Sequence, residues 1–320
     1  MIRINQNLRV QKFLLIGLAL AVLAGCTPQE QTSGVAVPTL TTLVAEPDIS
    51  IRTISTKPWL VTGGDVLLEV ELTNEPISPQ LRISLNGTDI THEFNSVAER
   101  RVQALLVGLV DGDNIITAQL GASSQAESLD ITNYPITGPI ISGSQENPFY
   151  CQSEEFLLAD GQLLGPAVDG NCSVETQISY VYWSTEEEEF KPYRQFLGIT
   201  PVDLAIISDS SGEEVPFIVR VETSTVNRAI YEIAMLHDPA EVEPDPWTRS
   251  QGWNGKLVYT HGGGCRKGWY QQGDHTGGVL REGLLEKGYA LTSSTLNVFG
   301  QNCNDLLASE THIMVKERFV

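Results

Sequence analysis

The residues best suited to chemistry lie in one run, Trp253-Asn-Gly-Lys-Leu-Val-Tyr-Thr-His261-Gly262-Gly263-Gly264-Cys265. Lys256 to Thr260 is short, apolar and bounded by glycines, as a buried strand is. Three glycines follow it at once. Glycine lets the backbone bend freely and approach a ligand closely. Successive N–H groups in such a bend can point at one spot and hold an anion. Acyl transfer needs donors of this kind to stabilise a tetrahedral oxyanion. The plainer alternative is a turn that only joins a strand to a helix.

Other reactive residue types have weaker claims. Ser293 and Ser294 read as polar strand-end residues. His237, His275 and His312 lack metal-ligand spacing, and Asp274-His275 is a neighbour pair. Cys265 beside Lys267 has the makings of a thiolate, but a disulfide suits an oxidising compartment better. Trp247, Trp253 and Trp269 suit either a cleft or a core. No Gly-Lys-Ser/Thr ending completes a phosphate loop and the dinucleotide glycine spacing is missing, so no cofactor is expected.

His261-Gly-Gly-Gly264 after a strand resembles the oxyanion loop of lipases and esterases with the α/β-hydrolase fold. The frame Trp253-Asn-Gly-Lys, Gly262-Gly-Gly264, Gly283 and Lys287-Gly-Tyr-Ala290 is similar to the tannase and feruloyl-esterase group. From about residue 59 to 320 the chain resembles an uncharacterised family of secreted bacterial proteins. The resembling motifs are Asn86-Gly-Thr-Asp-Ile-Thr91, Asn133-Tyr-Pro-Ile-Thr-Gly-Pro139, His261 to Cys265, and Ser294 to Asn304. The resemblance implies a β-sandwich followed by a hydrolase-like domain. It implies that Gly263 and Gly264 supply oxyanion N–H groups and that His261 shapes the loop without being the base. In that fold the nucleophile follows a later strand, and the acid and base come later still. No Gly-x-Ser-x-Gly occurs in the 320 residues. The expectation is therefore the front part of a carboxylic-ester hydrolase, without turnover of its own. The alternative is a non-catalytic envelope lipoprotein that binds carbohydrate or a protein partner.

The elements that must position the bend can be read from periodicity. Residues 47–133 hold short alternating runs at 66–72, 81–85 and 115–120, separated by Gly63-Gly-Asp65, Asn86-Gly-Thr88 and Asp111-Gly-Asp-Asn114. That pattern predicts an all-β immunoglobulin-like sandwich. Asp111 to Asn114 lacks the later ligands of a calcium loop and reads as a turn. Residues 134–200 are a Pro- and Gly-rich connector. From 201 to 320, strand-like runs at 202–207 and 217–221, a third apolar run at 229–236 and a strand at 256–260 precede a predicted helix at 277–287, a strand at 289–292 and a final helix capped by Asp305. Strand, loop, helix, strand, helix predicts a partial α/β domain with a parallel sheet, α/β-hydrolase-like in architecture.

The N-terminus addresses the chain. Arg3, Arg9 and Lys12 precede an apolar run from Phe13 to Val22, and Leu23-Ala-Gly-Cys26 follows. This order reads as an export signal over 1–25, and the box resembles the bacterial lipoprotein signal. The resemblance implies lipidation of Cys26 and a membrane partner reached through that lipid; the stretch over 26–46, rich in Thr, Gln, Gly and Pro without periodicity, reads as a flexible tether. Thr27 in place of Asp favours the outer membrane by analogy with envelope sorting. The formal net charge is −20, and it becomes more negative once a leader with three basic residues is lost. Such a surface repels nucleic acid, which excludes a nucleic-acid partner. An ester or polymer substrate remains, and the oligomeric state is open. Cys151, Cys172, Cys265 and Cys303 are an even set for an oxidising compartment. Three pairings are possible, and the nearest-neighbour one, 151–172 with 265–303, is preferred.

Overall fold

Val66, Leu68, Val70 and Leu72 fall on every second residue of one strand, and all four are buried in a single apolar core. This is how a period of two turns a sequence into a sheet face. The computed structural model describes residues 49–73, 76–121, 126–194, 198, 200–209, 211–265 and 270–320. The expected leader, the Cys26 lipidation site, the whole tether, Lys267 and Trp269 lie outside the described residues. Ala45–Val320 forms one compact unit.

Nine strands build its first body: β1 (Ile49–Thr53), β2 (Val61–Thr62), β3 (Asp65–Leu72), β4 (Leu81–Leu85), β5 (Thr88–Asp89), β6 (Asn95–Ala98), β7 (Arg101–Val107), β8 (Gly112–Leu120) and β9 (Glu127–Tyr134). They form two sheets, ordered β1-β3-β7-β6 and β2-β9-β8-β4-β5. Leu68, Leu72, Ile83, Leu106, Ile116 and Ile131 from both sheets share one core. Each such side chain stabilises the fold by about 1.5–3 kcal/mol on burial.

The remaining strands are β10 (Gln177–Ser184), β11 (Glu189–Pro192), β12 (Ile206–Ser208), β13 (Glu214–Pro216), β14 (Ile218–Val226), β15 (Ala229–Leu236), β16 (Leu257–Tyr259) and β17 (Ala290–Ser294). Six of them make one sheet, β11-β10-β14-β15-β17-β16, and β12 pairs only with β13. Within the six-stranded sheet only β16 and β17 run parallel. The expectation of an immunoglobulin-like sandwich followed by a partial α/β-hydrolase-like domain is overturned. The described residues are dominated by four sheets and hold only two α-helices, α1 (Glu282–Leu285) and α2 (Asp305–Phe319).

The physical reasons are local. Asn227 and Arg228 both adopt positive φ, 51° and 65°, and close a two-residue hairpin that makes β14 and β15 antiparallel. That is the backbone of a type I′ turn, whose twist matches the flanking strands. The predicted helix over 277–287 shrinks to four residues. Gly278 and Gly288 take positive φ. A side chain on Gly277 would lie 2.9 Å from the His261 carbonyl carbon. Strands β10 and β11 come from the Pro- and Gly-rich stretch and pair with the sheet.

Candidate functional site

The triglycine bend leaves the sheet at its edge. Strand β16 is terminal in the six-stranded sheet, and Thr260 N–H still bonds the Thr292 carbonyl at 2.8 Å. Gly262 then pairs with the segment after β17: its N–H donates to Asn297 O at 3.0 Å, and its carbonyl accepts from Phe299 N–H at 3.0 Å. A Cβ on Gly262 would strike Val298 at 2.6 Å. Gly264 has φ +106°, and a Cβ there would lie 2.8 Å from the Gly300 Cα. Glycine is thus required at 264 by contact of backbone on backbone and favoured at 262 by the Val298 side chain packed on it, while a Cβ on Gly263 would point into open space. Both Gly263 and Gly264 are exposed. Among the described residues neither of their N–H groups has an acceptor. Unmade backbone donors with free access are the raw material of an anion-binding bend.

The loop that backs the bend is the Ser294 to Asn304 motif. Asn297 is fully buried and ties three elements together. Its Oδ1 accepts from Tyr259 Oη and from Ser294 Oγ, both at 2.6 Å. Its Nδ2 donates to Ala308 O on α2 at 2.7 Å. Gln301 accepts from Asp274 N–H at 2.7 Å and donates to the His275 carbonyl at 2.5 Å. Asn302 is also fully buried, and its carboxamide has no partner among the described residues. Asn304, not Asp305, caps α2, accepting from Leu307 N–H at 3.1 Å. Cys265 pairs with Cys303 and Cys151 with Cys172, Cα separations 5.1 and 5.2 Å. The first bond fastens the end of the bend to the start of α2, and it leaves Cys265 no thiolate.

His261 does not stand alone. Its Nε2 lies 3.3 Å from Nδ1 of His312 on α2. Both rings lie against Tyr259, at centroid distances of 4.9 and 4.0 Å. Burial holds the His261 imidazole below its ordinary pKa. Burial first, then the neighbouring His261 and Lys316, does the same for His312. Burial raises the Tyr259 phenol, against an opposing hydrogen bond with Ser294. His312 is the partner that sequence reasoning missed: 51 residues separate it from His261, and no local spacing joins a helix face to a strand end.

The remaining candidates disperse. Ser293 and Ser294 are fully buried. Ser293 Oγ donates to Thr260 O and accepts from Gly277 N–H, each at 2.8 Å, so neither serine is presented as a nucleophile. His275 and Asp274 form an exposed pair, Nδ1 to Oδ1 2.7 Å. His237 is buried among Tyr180 and Val242. Trp247 donates to Gln103 at 3.1 Å. Asp111 to Asn114 closes a turn in which Asn114 Oδ1 accepts from Val110 N–H at 3.1 Å. Among the described residues no group of three or more His, Cys, Asp or Glu gathers around one point.

The other two motifs prove to be brackets. Asn86 Oδ1 accepts from Ile115 N–H at 2.9 Å and so joins β4 to β8. Asn133 Oδ1 accepts from Gly64 N–H at 3.0 Å. The stretch after Pro139 donates three N–H groups, from Ile140, Ile141 and Ser142, to one oxygen of Glu310 at 2.6–2.8 Å. Glu317 takes Thr62 N–H and Thr62 Oγ at 3.3 and 2.5 Å. Burial pushes the Glu317 carboxyl up to about 8. Helix α2 therefore docks on the first body through Glu317 and on the stretch after Pro139 through Glu310. Beside it a cleft of about 920 Å³ opens between β3 and β7 on one wall and β14 and β15 on the other. The triglycine bend is not among the residues that line it.

A mainly β chain with an open, glycine-bound bend at the end of an edge strand is the class that fold and site define. Residues 51–320 match the tannase-like family of unknown function (DUF6351), and the chain belongs to that family. No curated protein matches it.

Proposed function

We propose that this chain supplies the oxyanion-holding part of an exported carboxylic-ester hydrolase of tannase-like type. The single observation that carries the reading is the pair of exposed, acceptor-free N–H groups at Gly263 and Gly264. An oxyanion held between these two donors would gain charge-assisted hydrogen bonds. Membership of a tannase-like family supports the ester class. The reading assigns no nucleophile to the described residues.

The same proposal places the protein in the bacterial envelope, held at the outer membrane by a lipid on Cys26, with an ester or polymer as substrate and no nucleic-acid partner. Two disulfides suit an oxidising compartment. Labelling cells with a radioactive or clickable fatty acid tests the anchor. Label is expected on the native protein and absent from Cys26→Ala.

The test of the chemistry uses the native protein, isolated from its source, with short p-nitrophenyl esters. Gly264→Ala drives a Cβ into Gly300 and displaces one donor. It is expected to lower kcat by about 10²–10³ with KM little changed. Gly263→Ala, whose Cβ points into open space, is expected to cost far less. Equal, small effects of the two substitutions would remove the oxyanion reading.

The cleft favours one second reading, a non-catalytic lipoprotein that binds carbohydrate or a protein partner between its two bodies. Crowding that cleft with Leu105→Trp is expected to abolish binding in this case and to leave ester hydrolysis unchanged in the first.

A further inference from the structure

We propose that His261 and His312 form a two-histidine site for a divalent transition-metal ion, zinc first among them. The inference stands on the imidazole pair and not on the ester reading. Two nitrogens bound to one zinc ion at about 2.0–2.1 Å and the tetrahedral angle stand about 3.3–3.4 Å apart. His261 Nε2 and His312 Nδ1 are 3.3 Å apart. Their ring planes differ by 19° and their centroids stand 5.4 Å apart, so the two rings meet through these nitrogens and not face on face.

The separation is held by framework rather than by chance contact of two free side chains. One histidine follows an edge strand and the other rides on α2. Tyr259 lies against both rings, and its hydroxyl is bound to Asn297, which is bound in turn to α2. The Cys265–Cys303 disulfide closes the same loop from the other side. A site whose ligands are fixed before the ion arrives loses little entropy on binding. Imidazole nitrogen suits zinc, copper and nickel, and it disfavours magnesium and calcium. His261 is exposed and His312 half-buried, which leaves water to complete the coordination. The Lys316 cation acts against charge at His312 and lies in solvent, where salt screens it.

Calorimetric titration of the full chain with zinc ion alone is the test, with NMR of the histidine rings as the second readout. One ion per chain is expected, and the ring signals of His261 and His312 are expected to move while those of His92 and His237 stay. His312→Phe keeps an aromatic ring on Tyr259 but has no lone pair. Its affinity is expected to fall by more than the ~10–100-fold that loss of even an outer partner of a metal site costs. His275→Ala, which removes the exposed Asp274–His275 pair, is expected to bind as the unaltered chain does. If His312→Phe binds zinc unchanged, or the ring signals of 261 and 312 do not move at saturating zinc, the pair is an ordinary N–H···N hydrogen bond and the site is refuted. Thermal unfolding of each variant checks that it is folded.

Discussion

The two bodies of this molecule are held together by different physics. Residues 49–134 enclose one apolar core fed by both sheets, and their hydrogen-bonding side chains mostly serve turns, as Asn86, Asn114 and Asn133 do. The six-stranded sheet also has an apolar core, yet its β16–β17 end is buried polar. Thr292, Ser293, Ser294, Thr295, Asn297 and Glu310 are all fully buried there. Apolar packing is undirected and tolerant of volume-conserving change. A buried polar network permits one arrangement, because each unmade bond costs about 1–3 kcal/mol. The difference teaches where precision is kept: at the loop that backs the triglycine bend and not in the first body.

Three measurements sharpen or break that contrast. The largest stability effect belongs to the apolar body. Leu68→Ala empties a fully buried position and is expected to cost about 3–5 kcal/mol by urea denaturation. The loss should be the same at pH 5 and pH 8. A clear pH dependence would show that the two bodies are not separable in this way.

Next comes Glu317, which joins them. Its carboxyl is raised in the fold to about 8 by burial, with Asp65 adding to the rise. The folded state holds the proton and the unfolded state gives it up at an ordinary carboxylate pKa. Stability from this group is therefore complete below about 4.5 and is lost as pH climbs toward 8. Glu317→Gln cannot ionise and is expected to abolish a decline of roughly 2–4 kcal/mol across that window. Parallel pH profiles for the two proteins would sink the account.

The smallest of the three effects is at the polar bracket. Glu310→Ala strands the N–H groups of Ile140, Ile141 and Ser142, which are only partly shielded from water, so roughly 2–3 kcal/mol is expected. Hydrogen exchange should quicken at those three amides first. If it quickens instead in β3 and β8, the carboxylate supports the first body and the contrast fails.

Much of the first body was legible. Alternation over 66–72, 81–85 and 115–120 and the glycine turns between them name its strands, because side-chain period and turn chemistry are local. The cysteine pairs were legible too, by nearness in sequence. The antiparallel β14–β15 hairpin was not. Asn227-Arg228 carries no glycine, and its positive φ values are imposed by surroundings that include Ile136 O on Asn227 N–H at 2.8 Å. The helix expected over 277–287 shrinks to one turn, since its apolar spacing competes with three glycines. At the bend, Gly263, Gly264 and His261 stood out by composition. Asn297, Gln301 and His312 did not, since a polar residue announces nothing about burial until the chain is folded.

By itself the sequence determined the local matters: which runs extend, where the chain turns, how acidic the surface is, and that three glycines follow a strand. Only the tertiary structure decided which strands pair, that Gly264 rests on Gly300, and that an imidazole of α2 meets the one after β16. Period and turn chemistry act over a few residues and can be read in order. Pairing and close approach are choices among distant partners, settled by which arrangement buries apolar faces while leaving the fewest buried polar groups without a bond.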